Sequence, residues 1–438
     1  MIHAWDNKIY QKRYQQLHKI TKGCNVPQRK FIFNINLGII KSSSVVIQKI
    51  ARSLNEKIAL DKVSERLRYH LYHDNFESVK QELFNTQCKK LSQDSYIIID
   101  ESAVIKPHAK KMEGLSKVWD ATQNKAVPGY KLINFMGCNV HGQDYNLIPI
   151  ISELHSEEEE DTRCLKTINL INETTLRTGN KCIYVMDRGY DSRQYLETIS
   201  YINENQYVLR LCKTRGMKEL DEKEEKPFLD MCKTVNLDYE IQTPEKDEFI
   251  CGVKKVAIRI DQTPRKDAIY QTSTLVVCRY KEPPKGKKLN NVEKGGFFYF
   301  LCNYHNKEMS NEDIIRKTLT AYRLRWKIEE THRQVKQDYE WEKMRQQKLQ
   351  PLKNLNLMLW IVICFLFDLD EHKMELSYVY VNQMTNRPSD VKTNPKRFIY
   401  YRLRLVLNWV FRNVTKYCKI QHRNNRTDEQ LSIVFNPI

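Results

Sequence analysis

Apolar positions recur at helical spacing through the first ninety residues. Ile47, Ile50, Ala51 and Leu54 form one short stripe, with Ser44 placed to cap it and Asn55 to stop it. Leu60, Val63, Leu67 and Leu71 form a second, with Lys62, Arg66 and Arg68 elsewhere on that helix. Two short helices so tightly joined suit either a helix-turn-helix, which lays one helix in a major groove, or a plain helical bundle. The pattern changes at Ser95. Tyr96-Ile97-Ile98-Ile99-Asp100 reads as a buried strand ending in a carboxylate, and 130–140 and 145–151 read as the next two strands about a turn at 141–144. The acidic run Glu157 to Asp161 reads as the solvated start of a helix bearing Leu165, Ile168 and Ile171. A second buried strand, Cys182 to Asp187, also ends in an aspartate; a helix over 192–199 and a strand over 207–212 follow. The alternation predicts an α/β layer fold.

From 213 to 303 the alternation breaks. The segments 249–260, 274–280 and 297–302 are β-rich and divided by charged, turn-forming stretches, which predicts a β insertion within the α/β domain. No glycine pair there has the spacing of a P-loop. A long helix follows, started by Ser310 with Asp313 and free of Pro and Gly from 310 to 350; after Pro351, 354–367 reads as a buried core helix. The chain thus divides into a helical region (1–90), an α/β domain (91–345, with its insertion at 213–303) and a helical C-terminal region (346–438).

Charge sharpens this outline. The 438 residues carry 72 Lys+Arg against 54 Asp+Glu, a net charge of +18, which makes a polyanion the first partner to consider. Residues 391–427 hold ten Lys/Arg and no acid, with Tyr400, Tyr401, Trp409, Phe411 and Tyr417 interleaved, a composition suited to phosphate contacts. No signal-peptide pattern opens the chain, and the longest apolar run, Leu357 to Phe367, is 11 residues, too short to cross a bilayer. The 12 cysteines are scattered without a CxxC, which disfavours a clustered zinc site and suits reduced thiols in a cytosol. His70 and His73 read as a solvated helix edge.

A carboxylate at a buried strand end is costly unless paired, hydrogen-bonded or holding a cation. Asp100 and Asp187 together, in a basic chain, suggest a hard-cation site of oxygen ligands. On the long helix Tyr322, Arg325, Glu329 and Lys336 fall at roughly 0°, 300°, 340° and 320°, one face about 60° wide. That face is either an intrahelical ion-pair ladder from Arg325 to Glu329 or a metal-binding Glu beside groups that clamp a phosphodiester. Glu101, Asp191 and Glu330 compete for ligand roles, although Glu330 lies about 100° around the helix from Glu329.

The string Tyr322-x2-Arg325-x3-Glu329-x6-Lys336 resembles the Tyr-Arg-Glu-Lys signature of bacterial DDE transposases of the insertion-sequence-four group. Asp187-Arg188-Gly189-Tyr190 is similar to the block around their second catalytic aspartate, and Asp100 occupies the place of their first. The resemblance covers roughly residues 90 to 345. It implies an RNase H-like catalytic domain with a β insertion, and Asp100, Asp187 and Glu329 as catalytic metal ligands for Mg²⁺, with Mn²⁺ as a substitute. It further implies that Tyr322, Arg325, Lys336 and Arg188 contact DNA, and that Trp326 stacks on a flipped base or else packs in the core. The implied partner is double-stranded DNA, both transposon inverted-repeat ends and target, engaged by a homodimer in a bacterial cytoplasm. A structure-selective nuclease on the same fold and a non-catalytic DNA-binding derivative are the rival readings.

Overall fold

The computed structural model describes residues 2–120, 123–142, 144–179, 182–212, 214–244, 246–261, 268–282, 296–304, 308–369 and 399–417. Much of the basic tract over 391–427 therefore lies outside the described residues.

Five helices come first: α1 (Ile2–Ile20), α2 (Val26–Ser42), α3 (Ile47–Leu54), α4 (Leu60–His73) and α5 (Glu77–Cys88). Asn25 and Gln28 start α2 with a reciprocal capping box. Asn55, at φ 53°, ends α3 in the left-handed region that Asn tolerates. Ser44 is not the cap but lies two residues before the N-cap Val46, accepting from its N–H at 3.1 Å. His70 is not a solvated edge: its ring stacks on Phe31 at 5.0 Å and its Nδ1 meets Asp74 at 2.7 Å.

The α/β part runs β1 (Tyr96–Ile105), β2 (Ser116–Asp120), β3 (Lys125–His141), β4 (Asp144–His155), α6 (Arg163–Thr178), β5 (Ile183–Met186), α7 (Arg193–Leu196) and β6 (Gln206–Arg210). The predicted helix over 192–199 is α7 continued by a π-helical stretch, Glu197–Ile202. Then come β7 (Gly216–Met217), β8 (Lys226–Pro227), α8 (Phe228–Lys233), β9 (Tyr239–Gln242), β10 (Glu248–Arg259), β11 (Tyr270–Tyr280), β12 (Phe297–Cys302), α9 (Asn311–Asp338), α10 (Leu349–Asp368) and α11 (Ile399–Tyr417). One mixed sheet holds the order β2-β3-β1-β5-β6-β12-β11-β10-β9, with β4 paired to β3. β1, β5 and β6 are parallel, and β3 and β4 are antiparallel to their neighbours. The β-rich segment extends this sheet, because β12 pairs antiparallel with β6.

Apolar side chains from the two faces of the sheet build two cores. One lies under α9, α10 and the N-terminal helices; the other lies under α6, α7 and α8. The α1–α4 and α10–α11 helices share the first core with the sheet. Arg13 of α1 is buried there, donating to the Ile361 carbonyl at 3.1 Å and to Asn36 Oδ1 at 2.5 Å.

Four further expectations change. β1 does not end at Asp100 but runs to Ile105, because residues 100–105 pair with β3; antiparallel partnership overrides the turn-like Glu101-Ser102. α9 stops at Asp338: Glu340 at φ 55° reverses the chain, and the short 3-10 turn Trp341–Lys343 buries Trp341 completely. The acidic run 157–161 is only partly solvated, since Glu159 accepts from Lys166 at 2.9 Å and Lys353 at 2.7 Å. Burial works to raise its pKa, but these two lysines hold it at about 2. Finally, α10 spans 20 residues and is long and apolar enough, by length and composition, to cross a bilayer, with 78% of that stretch buried inside the protein. The 11-residue run underestimates it because Asn354 and Asn356 interrupt the apolar string. Both are buried and donate to the Leu71 and Ser152 carbonyls at 2.9 Å.

Candidate active site

Strand alternation decides which side chains face α9. Ile98 belongs to the core beneath α9, Ile97 and Ile99 to the opposite core, so Asp100 turns to α9 and Glu101 to α6. Arg163 of α6 meets Glu101 at 2.8 Å and removes it from competition. β5 runs parallel to β1 with Met186 beside Ile99, so Asp187 leaves the neighbouring strand at the level of Asp100. The other two competitors are also engaged elsewhere. Asp191 is gripped by Arg215 and by the Cys212 N–H at 2.7 Å, while Glu330 pairs with Lys327 at 3.2 Å on the solvent side.

Glu329 completes the group from α9, and Arg325 joins it to the strands. The buried guanidinium lies 2.9 Å from Glu329 Oε1 and 3.8 Å from Asp100 Oδ2, so the i,i+4 pair forms and reaches onward to β1. Burial pushes the Asp100 carboxyl up to about 7; the Arg325 charge opposes the rise, and the Glu329 and Asp187 charges add to it. One oxygen of Asp187 is buried without a hydrogen-bond donor, with Arg210 Nη1 3.9 Å away. Among the described residues no three His, Cys, Asp or Glu are close enough to enclose a metal as they stand. The place between Asp100 and Glu329 is held by Arg325.

Three neighbours escaped the sequence reading. Asn134 sits opposite Asp100 in the β1–β3 register, one residue before the bulge at Phe135/Met136. Its amide meets His332 Nε2 at 2.9 Å, and His332 Nδ1 is 4.0 Å from Asp100 Oδ2. Burial, with Lys336 and Arg325 nearby, holds His332 down to about 3, so the ring is neutral at pH 7. With the amide donating to Nε2, the proton sits on Nδ1 and is turned to Asp100. His332 follows Glu329 at i+3, so helical spacing alone points to it. Arg210, at the end of β6, donates to the Tyr322 hydroxyl at 2.7 Å beside Asp187.

The remaining predicted residues spread outward from this centre. Tyr322 is buried, its ring 4.9 Å from Phe300. Trp326 is 55% exposed, which removes it from the core, and Arg325 stands 5.3 Å from its ring centre. Lys336 lies farther along α9 and makes no ion pair with the three carboxylates; burial lowers its pKa, opposed by Glu342 and Asp120. Arg188 is half-buried on the turn Arg188–Tyr190 that follows Asp187. Arg404 and Arg412 of the basic tract are engaged by the protein, with Asp338 at 3.4 Å and the Lys41 carbonyl at 3.0 Å.

Two aspartates from adjacent parallel strands and a glutamate from the covering helix lie within the segment, residues 91–365, that matches the family described as the transposase DDE domain. The chain belongs to that family. It is thereby an enzyme of the nucleic-acid-cleaving, transposing class, and the matched segment holds all three carboxylates. No curated protein sequence matches the chain. Among solved structures the chain is similar to a cryo-EM structure of a piggyBac transposase synaptic complex with hairpin DNA. That match has 13% identity and a TM-score of 0.43, covering 90% of this chain and 73% of that one. It is also similar to the crystal structure of the NurA nuclease from Sulfolobus solfataricus, at 10% identity and a TM-score of 0.25, covering 64% of this chain and 98% of that one.

Proposed function

We propose that the chain is a cut-and-paste DNA transposase of the insertion-sequence-four group, working in a bacterial cytoplasm. It binds the terminal inverted repeats of its element, cuts at the transposon ends and joins the 3′ hydroxyls to target DNA. The observation that carries this reading is the placement of Asp100 and Asp187 at one level on neighbouring parallel strands, tied through Arg325 to Glu329. The strand arrangement around them, three antiparallel strands (β4, β3, β1) continued by two parallel ones (β5, β6), supports an RNase H-like domain over 91–345. Residues 1–90 then form the end-binding region, in which α3 and α4 act as the helix-turn-helix, and 346–438 the basic helical region.

The donors suit Mg²⁺, with Mn²⁺ as a substitute. All three are hard oxygens, and the buried Asp187 oxygen has no hydrogen-bond donor, its nearest cation being Arg210 at 3.9 Å. Asp100, Asp187 and Glu329 would hold such ions, which when bound would supply activation of the attacking oxygen and stabilisation of the leaving one. The chain's own groups position the DNA. Arg325 exchanges Glu329 for a phosphate next to the cut, which its planar fork grips at two oxygens, and Lys336 adds a point charge along the same helix. Arg210 holds the Tyr322 hydroxyl at this edge, and Arg188 serves the phosphates beside Asp187. Trp326 offers an exposed ring to a base taken out of the stack. Two ends brought together require two protomers, a homodimer on DNA. The test is a strand-transfer assay on duplexes bearing the DNA that borders the coding region, with Mg²⁺ and with chelator. Metal-dependent cutting and joining supports the reading. Cutting without joining identifies a nuclease, and binding without cutting a non-catalytic derivative.

A further inference from the structure

The segment leaving β1 (106–112) and the segment leaving α9 (342–347) face one another across a groove of ≈ 630 Å³. Lys106 ties the two together from below: its buried amine donates to the carbonyls of Glu342 at 2.5 Å and Met344 at 3.0 Å. The groove lining is strongly basic, with Lys110, Lys111, Lys343 and Arg345 against one acid, Glu342. Lys343 is paired with Glu340 at 2.8 Å. Lys110, Lys111 and Arg345 are exposed and form no ion pair with any described residue. Cations gathered on two tied loops repel one another, and a polyanion laid between them relieves that repulsion.

The groove lies in line with the active site. β1 carries Asp100 and opens into it at Ile105, five residues on, or roughly 17 Å along the strand. α9 carries Glu329 and leads past Lys336 toward Glu342 on the groove wall. A B-form duplex advances about 3.4 Å per base pair, so that distance corresponds to about five base pairs. We propose that this groove holds the phosphate backbone of duplex DNA about five base pairs from the bond cut between Asp100, Asp187 and Glu329. The proposal rests on the transposase reading and adds a track for the DNA that the motif residues do not supply.

Two measurements test it. The first is the dependence of affinity on salt for a mixed-sequence 30-bp duplex, comparing the native chain with Lys110→Gln/Lys111→Gln/Arg345→Gln. Each lost phosphate contact removes about 0.9 from the slope of log affinity against log salt, so the variant's slope flattens by roughly 2 to 3. The second places a photoreactive benzoylphenylalanine at Lys111 and maps its crosslinks on a duplex the protein cuts; they fall about five base pairs from the cut. An unchanged slope in a variant that melts like the native chain overturns the groove. So do crosslinks next to the cut or more than about ten base pairs away. If the native chain neither binds nor cuts duplex DNA, the transposase reading itself fails instead.

Discussion

Replacing Asp100 by Asn removes a carboxyl that burial holds near neutrality, and stability reports this before any catalysis does. A carboxyl whose folded pKa is about 7 binds its proton more tightly than the unfolded chain does. Its contribution to stability is therefore complete below about pH 4 and is lost as pH rises to about 7. Asp100→Asn should thus melt close to the native, metal-free chain near pH 4 and about 2–4 °C above it at pH 8, by calorimetry. A variant that melts lower at pH 8 would mean that the charged carboxylate is stabilised in place. Catalysis moves the other way: Asp100→Asn, Asp187→Asn and Glu329→Gln should each reduce DNA cleavage to background while duplex binding stays near native. Robust cleavage by any one removes that residue from the site. These three positions are legible in the sequence, since each aspartate ends an apolar run and Glu329 shares a helix face with Arg325. Arg210 and Asn134 are not legible, because only the folded register sets Asn134 opposite Asp100 and Arg210 beside Asp187. The engagement of Arg325 with β1 as well as with Glu329 is equally a product of folding.

Within α9 the signature residues separate by depth, and substitutions should separate likewise. Arg325→Ala leaves Asp100 and Glu329 without their shared cation inside the protein. It should lower stability by about 3 kcal/mol as well as impair cleavage. Lys336→Ala removes a group with no ion-pair partner among the three carboxylates; it should melt near native while weakening retention of the cleaved end, measured by native gel. Equal stability losses in the two variants would return the face to a purely structural ladder. In the N-terminal region α4 exposes Arg68 and Lys62, the latter in a surface pair with Glu65 at 2.9 Å, whereas half-buried Arg66 is spent on Glu56 at 2.5–2.9 Å. Lys62→Ala/Arg68→Ala should reduce discrimination between transposon ends and random duplex with little change in melting; undiminished discrimination would leave α3 and α4 as bundle helices. The stripes of α3 and α4 are plain in the sequence because each buries one face. The ends of β1 and α9 are not, because β3 pairing prolongs the one and burial of Trp341 truncates the other.

At the level of the molecule, residues 1–90 are no detachable module. Asn36 and Arg13 are bonded into α10, Asn354 of α10 is bonded to the end of α4, and Asn408 of α11 donates to the Lys41 carbonyl at 2.7 Å. A chain lacking residues 1–90 should therefore fail to fold, seen as loss of solubility and of cooperative melting, rather than persist as a catalytic domain without specificity. The sequence shows three regions by composition but cannot show that all three share a core, since that rests in part on contacts between residues more than 300 apart. The same sharing has a consequence during synthesis. The face of α2 that carries Ile32, Ile35 and Ile39 is covered by helices from the far end of the chain. At about 5–20 residues per second, a ribosome needs roughly 15–60 s after making Asn36 to deliver Met358, its partner 322 residues later. Throughout that interval the side of α2 that packs on α10 and α11 stays uncovered in the nascent protein, leaving an apolar surface open to wrong partners until the last helices emerge.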